Sequence, residues 1–110
     1  MVNKRIKYKT IHGCTFIYPK EVIYCRAEGK HSFIFLPDDN SYEIPMILKD
    51  IHSSLNYSAI IRCHKSYLVN IHCVREVIGN YEQLRLNNDV KIPVSKRRSF
   101  YVKQQLEHLR

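Results

Sequence analysis

Short apolar runs separated by turn-forming residues dominate the chain. KRIKYKTI (residues 4–11), EVIYC (21–25), HSFIFL (31–36), AIIRC (59–63), HCVREVI (72–78), YEQLRL (81–86) and VKIPV (90–94) are of strand length, and most are rich in Ile, Val, Tyr or Phe. His12-Gly13, Glu28-Gly29, Pro37-Asp38-Asp39-Asn40, Gly79-Asn80 and Asn87-Asn88-Asp89 punctuate them. The pattern predicts a mainly β domain.

Two segments follow a different period. In PMILKDIHSSL (45–55), Ile47, Leu48, Ile51 and Leu55 recur at helical spacing and Pro45 suits a first helical position, so one short helix is expected to cover a sheet. Near the end, Ser95 is placed to cap a helix from about Lys96 to Leu109, with Val102, Leu106 and Leu109 on one stripe. Its first turn holds Lys96, Arg97 and Arg98. A helix N-terminus carries partial positive charge, so three cations there are unfavourable unless an anion sits nearby, and a phosphate would relieve the conflict.

Charge is the one bulk property that alters this picture. Of 110 residues, 18 are Lys or Arg and 10 are Asp or Glu, a formal net charge of +8. The excess falls in acid-free stretches: Lys4 to Lys9, then Arg62, Lys65 and Arg75, then Lys91, Lys96, Arg97, Arg98 and Lys103. Segregated cations of this kind suit a polyanionic partner, whose counterions they displace. Lys4, Arg5, Lys7 and Lys9 are better read as the solvated face of an edge strand. The length holds one modest core, and the ordinary apolar fraction of 45% argues against disorder. No signal core follows the basic start and no apolar stretch reaches membrane-spanning length, so a soluble protein of the cytoplasm is expected.

RCHKSYLVNIHC (62–73) holds two Cys-His pairs and raises the question of zinc. Neighbouring side chains of an extended strand point to opposite faces, so Cys63-His64 and His72-Cys73 each offer one ligand to a common point, too few for a tetrahedral site. No metal or other cofactor is expected. Cys25, Cys63 and Cys73 read as small buried residues, and the four scattered thiols, Cys14 included, as reduced. What remains is His64, Lys65, Ser66, Tyr67 and Asn70, side chains able to bind phosphates or base edges. For Tyr67 a half-buried ring, and for Asn70 a turn cap, are the stronger readings.

IIRCHKSYLVNIHCVREV, followed by LRLNNDVKIPVSKRR, resembles the LytTR family of DNA-binding domains found in bacterial response regulators. The hallmarks are an HRSY-like segment ending in VN, here His64 to Asn70, and an IPVSRR-like segment, here Ile92 to Arg98. The likeness extends upstream through EVIYCRAEGKHSFIFL and the 45–55 helix, over roughly residues 5 to 105. It implies an elongated stack of small antiparallel β-sheets with one internal and one C-terminal helix, inserting loops into successive major grooves of double-stranded DNA. The implied contacts come from Lys30 and His31 in the EGKH turn, from His64, Lys65 and Ser66, and from Ser95, Lys96, Arg97 and Arg98. Arg62, heading the middle basic cluster, joins them. His31, Lys65 and one of Lys96 or Arg97 are the expected base readers. Lys65 and Lys96 replace the more frequent arginines, and a lysine's point charge should read bases more loosely than a planar fork.

The phosphoacceptor domain that usually precedes such a module has no room in 110 residues, so a single domain over 1–110 is expected, either a free-standing regulator or an excised piece, with Met1 slightly favouring a whole product. A second copy on repeated half-sites is a further expectation. An RNA- or single-strand-binding β module is the alternative, since eight tyrosines and four phenylalanines could stack bases. A nuclease is disfavoured because the carboxylates are dispersed and no nucleophile stands beside a base.

Overall fold

The computed structural model describes residues 4–108. Ten strands and two α-helices follow in the order β1 (Ile6–Thr10), β2 (Gly13–Ile17), β3 (Tyr24–Glu28), β4 (His31–Phe35), β5 (Ser41–Ile44), α1 (Leu48–Leu55), β6 (Ile60–His64), β7 (Tyr67–Asn70), β8 (Val74–Ile78), β9 (Gln83–Leu86), β10 (Lys91–Pro93) and α2 (Ser99–His108). Three 3-10 turns, at Pro19–Glu21, Ile71–Cys73 and Lys96–Arg98, link them. All strand pairs are antiparallel and form a hairpin β1-β2, a five-stranded sheet β5-β4-β3-β7-β6, and a three-stranded sheet β10-β9-β8. The mainly β architecture anticipated above is present, and principal extents of 41 × 31 × 24 Å make it an elongated stack.

The five-stranded sheet is the middle layer because its strands bury both faces. Cys25, Ile34, Ile44, Ile60 and Leu68 enter a first core with Tyr8 and Ile17 of the hairpin and Leu48, Ile51 and Leu55 of α1. Their neighbours Tyr24, Ile61 and Val69 turn the other way and pack with Leu84, Leu86 and Ile92 of the three-stranded sheet and Val102 of α2. Period-two geometry sends adjacent side chains to opposite faces, so a strand buried on both reads as an unbroken apolar run. Ile60-Ile61 and Leu68-Val69 are such runs.

Several boundaries differ from the sequence expectation. Helix α1 begins at Leu48 instead of Pro45, with Ile47 as its exposed extended N-cap, and ends at Asn56 in the left-handed conformation (φ 47°). His72 and Cys73, expected at the start of a strand, fall instead in the 3-10 turn Ile71–Cys73, which places His72 on the surface and leaves Cys73 only half-buried. β2, β5 and β7 are additional strands. Cys63 and Cys25 are buried as expected. Val102 is buried and Leu106 half-buried on α2, whereas Leu109 lies outside the described residues.

Ser95 does not cap the last helix. The segment starts as a 3-10 turn over Lys96–Arg98, and Ser95 makes no side-chain capping bond. Its Oγ is enclosed without a hydrogen-bond partner, while its backbone carbonyl accepts from Arg98 N–H. The tighter winding meets the orphan amide through the main chain, so the hydroxyl is not needed there.

Asn70 takes the turn-capping role. Its Oδ1 accepts from His72 N–H at 3.0 Å and its Nδ2 donates to the Val22 carbonyl at 2.9 Å, with the residue buried at 2% exposure. Replacing it strands the buried Val22 carbonyl and the part-buried His72 N–H. Asn70→Ala is therefore expected to lower stability by about 3 kcal/mol, measured by urea unfolding; a loss below about 1 kcal/mol would show that these bonds are dispensable.

Candidate nucleic-acid interface

Both faces of the middle sheet are covered over much of their area, which leaves strand ends as natural places for exposed chemistry. One end gathers the β3–β4 and β6–β7 turns. The β3–β4 turn is a two-residue loop between the paired Glu28 and His31. Gly29 opens it at φ +62°, a conformation that costs side-chain-bearing residues, and Lys30 stands exposed at the tip. The β6–β7 turn is also two residues, Lys65-Ser66, between the paired His64 and Tyr67. Ala27 N–H donates to the Ser66 carbonyl at 2.8 Å and ties the two turns together.

The third segment is joined by a bulge. The β6–β7 register passes from Arg62↔Leu68 to His64↔Tyr67, which takes Cys63 out of the ladder. The Cys63 carbonyl instead accepts from Ser95 N–H at 2.9 Å, seating the Lys96–Arg98 turn against the end of β6. The Cys63 thiol lies between the carbonyls of Tyr67 and Pro93 at 3.8 and 3.7 Å, and burial pushes its pKa up to about 12. It is a packing residue at the junction, far from the thiolate a metal would bind. Among the described residues no three His, Cys, Asp or Glu side chains cluster to hold an ion.

Three segments distant in sequence thus meet at one region, bringing the turns that carry Lys30 and His31, and His64, Lys65 and Ser66, beside the turn that carries Lys96, Arg97 and Arg98. Lys30, Lys65, Lys96 and Arg97 are exposed, and His31, Arg62, His64, Ser66 and Arg98 are half-buried. The side chains of this group are not equally available. Ser95 contributes its backbone while its hydroxyl is enclosed. Arg62 turns onto the β6–β7 loop, its Nε donating to the His64 carbonyl at 2.9 Å and its Nη2 to the Lys65 carbonyl. His31 meets Glu43 through Nδ1 at 2.8 Å, leaving Nε2 as its other polar atom.

Arg26 is a cation that the sequence reading passed over. It sits on β3 opposite Phe33 on one side and Tyr67 on the other, with its guanidinium 5.0 Å from the Phe33 ring centre and 5.4 Å from that of Phe35. Glu28 is its ion-pair partner at 3.2 Å. Alternation on β3 was the available signal, since Arg26 shares a face with Tyr24. The carboxylates Glu28 and Glu43 also come to this end, each paired with a cationic or basic side chain. Lys4, Arg5, Lys7 and Lys9 are exposed at the hairpin, where Arg5 lies 4.6 Å over the Phe16 ring.

His64 shows how the cationic setting acts on a titratable group. Its Nδ1 accepts from Ser66 N–H at 3.0 Å, so the neutral ring carries its proton on Nε2, and the ring meets Tyr67 edge-on at 5.7 Å. Its pKa is lowered, first by burial and then by Lys65, Arg98 and Arg62. The charged form is disfavoured in the fold by like charges and by the loss of the Nδ1 acceptor. The same burial, followed by the Arg98 charge, lowers the Arg62 pKa.

Residues 12–107 match the family model of the LytTr DNA-binding domain, and the chain belongs to that family. It is a DNA-binding domain of a kind present in transcriptional regulators. The transcriptional regulatory protein YpdB of Escherichia coli K12 is 35% identical over 80 residues, covering 69% of this chain and 32% of that protein. The protein of the same name from Shigella flexneri matches to the same extent. The chain spans about a third of the length of these curated relatives. Among solved structures, a LytTr DNA-binding domain from a Bacillus cereus protein described as a methyl-accepting/DNA response regulator shares the fold, with a TM-score of 0.77 at 22% identity over 93% of this chain and 95% of that one. No helix among the described residues is long and apolar enough to cross a membrane.

Because the folded state resists protonation of His64, the unfolded chain binds the extra proton first, and stability increases with pH between the lowered folded value and the ordinary 6.5. The His64 contribution is complete above the ordinary value and is lost as pH falls through that window. His64→Asn keeps an acceptor for Ser66 N–H but cannot titrate. Urea unfolding should therefore show a shallower loss of stability on acidification in His64→Asn than in the parent; parallel curves would contradict the assignment.

Proposed function

We propose that the domain binds double-stranded DNA sequence-specifically and acts in transcriptional regulation, with its turns inserted into successive major grooves. The observation that carries this reading is the pair of backbone bonds, Ala27 N–H to Ser66 and Ser95 N–H to Cys63, that gathers three cation-bearing segments at one region of a rigid β stack. The 41 Å length of the domain compares with the roughly 34 Å between successive major grooves on one DNA face, so a single copy is long enough to address two of them. Lys30, Lys96 and Arg98 are assigned to backbone phosphates. His31 through Nε2, Lys65 and Arg97 are assigned to base edges, with Ser66 and the Nε2–H of His64 as supporting donors. Phosphates would also offset the charge stacked at the start of the last helical segment. Like the regulators it resembles, the protein is assigned to a response-regulator system, and two copies are expected on repeated half-sites.

The single-strand alternative would need open aromatic faces beside the β3–β4 and β6–β7 turns, whereas the exposed rings Phe100 and Tyr101 lie on α2. Tyr24 stacks on Phe35 at 4.3 Å and lies 6.3 Å from Tyr67, while Arg26 sits over Phe33 and Phe35, so these rings are engaged by one another and by a guanidinium. Duplex is therefore expected to outcompete single-stranded DNA and RNA of the same sequence in an anisotropy assay. Preference for single strands would reverse the assignment.

If each of two copies neutralises three phosphates, about six in all, log affinity for the pair should fall with log salt at a slope near -5; a flat dependence would refute the phosphate grip. Arg97→Ala is expected to weaken binding to a library-selected duplex by about 1 to 3 kcal/mol and to relax preference at one base position. Unchanged affinity and preference would remove Arg97 from the base-reading set.

A further inference from the structure

We infer that Arg62 is a positioning residue for sequence discrimination: its guanidinium holds the β6–β7 turn in the shape that presents Lys65 and Ser66, without itself gripping DNA. The inference rests on the duplex-binding reading for its functional consequence and on the fold alone for its structural one.

The β6–β7 turn is short, exposed and locally irregular. A bulge interrupts the ladder immediately before it, so the regular strand bonds that would fix its shape are missing at Cys63. Two carbonyls, His64 and Lys65, face the flank of the turn, and Arg62 fills both with separate donors. The planar guanidinium offers donors in a fixed fork, so binding two consecutive carbonyls at once sets the angle between the peptide planes. From the other side His64 Nδ1 accepts the Ser66 amide. The turn is thus clamped through its carbonyls by Arg62 and through its amide by His64, and Lys65 is left exposed at its tip.

The electrostatic setting agrees. Arg62 has no carboxylate partner among the described residues, and it lies near another guanidinium, that of Arg98. A cation partly buried beside a like charge is unfavourable unless acceptors hold it there. The two carbonyls are those acceptors. Donors committed to the backbone are also withdrawn from phosphate oxygens, which separates Arg62 from the exposed cations Lys30, Lys65, Lys96 and Arg97.

Two substitutions separate positioning from contact. Arg62→Lys keeps the charge but loses the fork, and Arg62→Met loses both. Affinity is read by anisotropy for a duplex selected by the parent from a random library and for a scrambled duplex of equal length, across a salt series and well below the unfolding transition of each variant. The inference predicts that both variants lose about ten-fold or more of the selected-to-scrambled ratio, while the salt slope stays within experimental error of the parent. A phosphate contact would instead lower the slope by about one in Arg62→Met, restore it in Arg62→Lys, and weaken both duplexes alike. A purely stabilising role would lower the unfolding midpoint and leave the ratio intact.

Amide hydrogen exchange in the free proteins provides a readout independent of any DNA. Ser66 N–H should lose protection in both variants while Leu68, inside the ladder, keeps its own. Unchanged protection at Ser66 overturns the inference even if duplex binding stands. Lost protection in a protein that ignores duplex DNA keeps the clamp and discards the DNA reading.

Discussion

Burial of both faces of the five-stranded sheet is the constraint on which the rest of the molecule depends. Once Cys25, Ile60 and Leu68 are committed to one core and Tyr24, Ile61 and Val69 to the other, the interior of the sheet has little room for a polar site. An unpaired charge there would cost more than a domain of this size can spare. Chemistry is displaced to the strand ends. Antiparallel pairing then decides the grouping, because β3 and β6 end where β4 and β7 begin. The two turns meet because their strands are paired or share β7 as a partner, and the bulge at Cys63 recruits the third segment by freeing a carbonyl for Ser95.

Electrostatics and backbone geometry are coupled at that end. Cations crowded together raise the free energy of the isolated protein, and the fold answers this in several ways. Arg26 is neutralised by Glu28 and spread over aromatic rings, and Arg62 is absorbed by carbonyls. His64 is kept toward its neutral form. The exposed cations are left to water and are available to an anion. This division separates residues that build the surface from residues that can meet a ligand, and it falls within a single five-residue stretch, Arg62 to Ser66.

Much of this was legible in the sequence. Alternating and continuous apolar runs marked most of the strands, and the two hallmark segments marked the turn and the helix start that now lie together. The losses have identifiable causes. β5 buries only Ile44, and β7 is four residues long inside a segment that drew notice for its polar side chains, so neither was marked as a strand. Pro45 satisfied a helix-start rule, yet the chain stays irregular until Ile47 before turning. Ser95 satisfied a capping rule, but the tighter 3-10 winding met the amide by backbone means. Arg26, overlooked because it stands in an apolar strand, and Arg62, whose two carbonyl partners no motif announces, show the general limit. Formal charge is visible in a sequence, whereas the acceptors that will claim it depend on tertiary geometry.

The central claim is that three segments form one DNA-facing surface. A titration of the labelled domain with a library-selected duplex, followed through backbone amide shifts, tests it most directly. The account predicts that the largest changes fall together in residues 28–31, 64–67 and 95–98, and that the β4–β5 and β9–β10 turns stay near their free positions. Changes centred on the β1–β2 hairpin, or confined to one of the three segments, would contradict it.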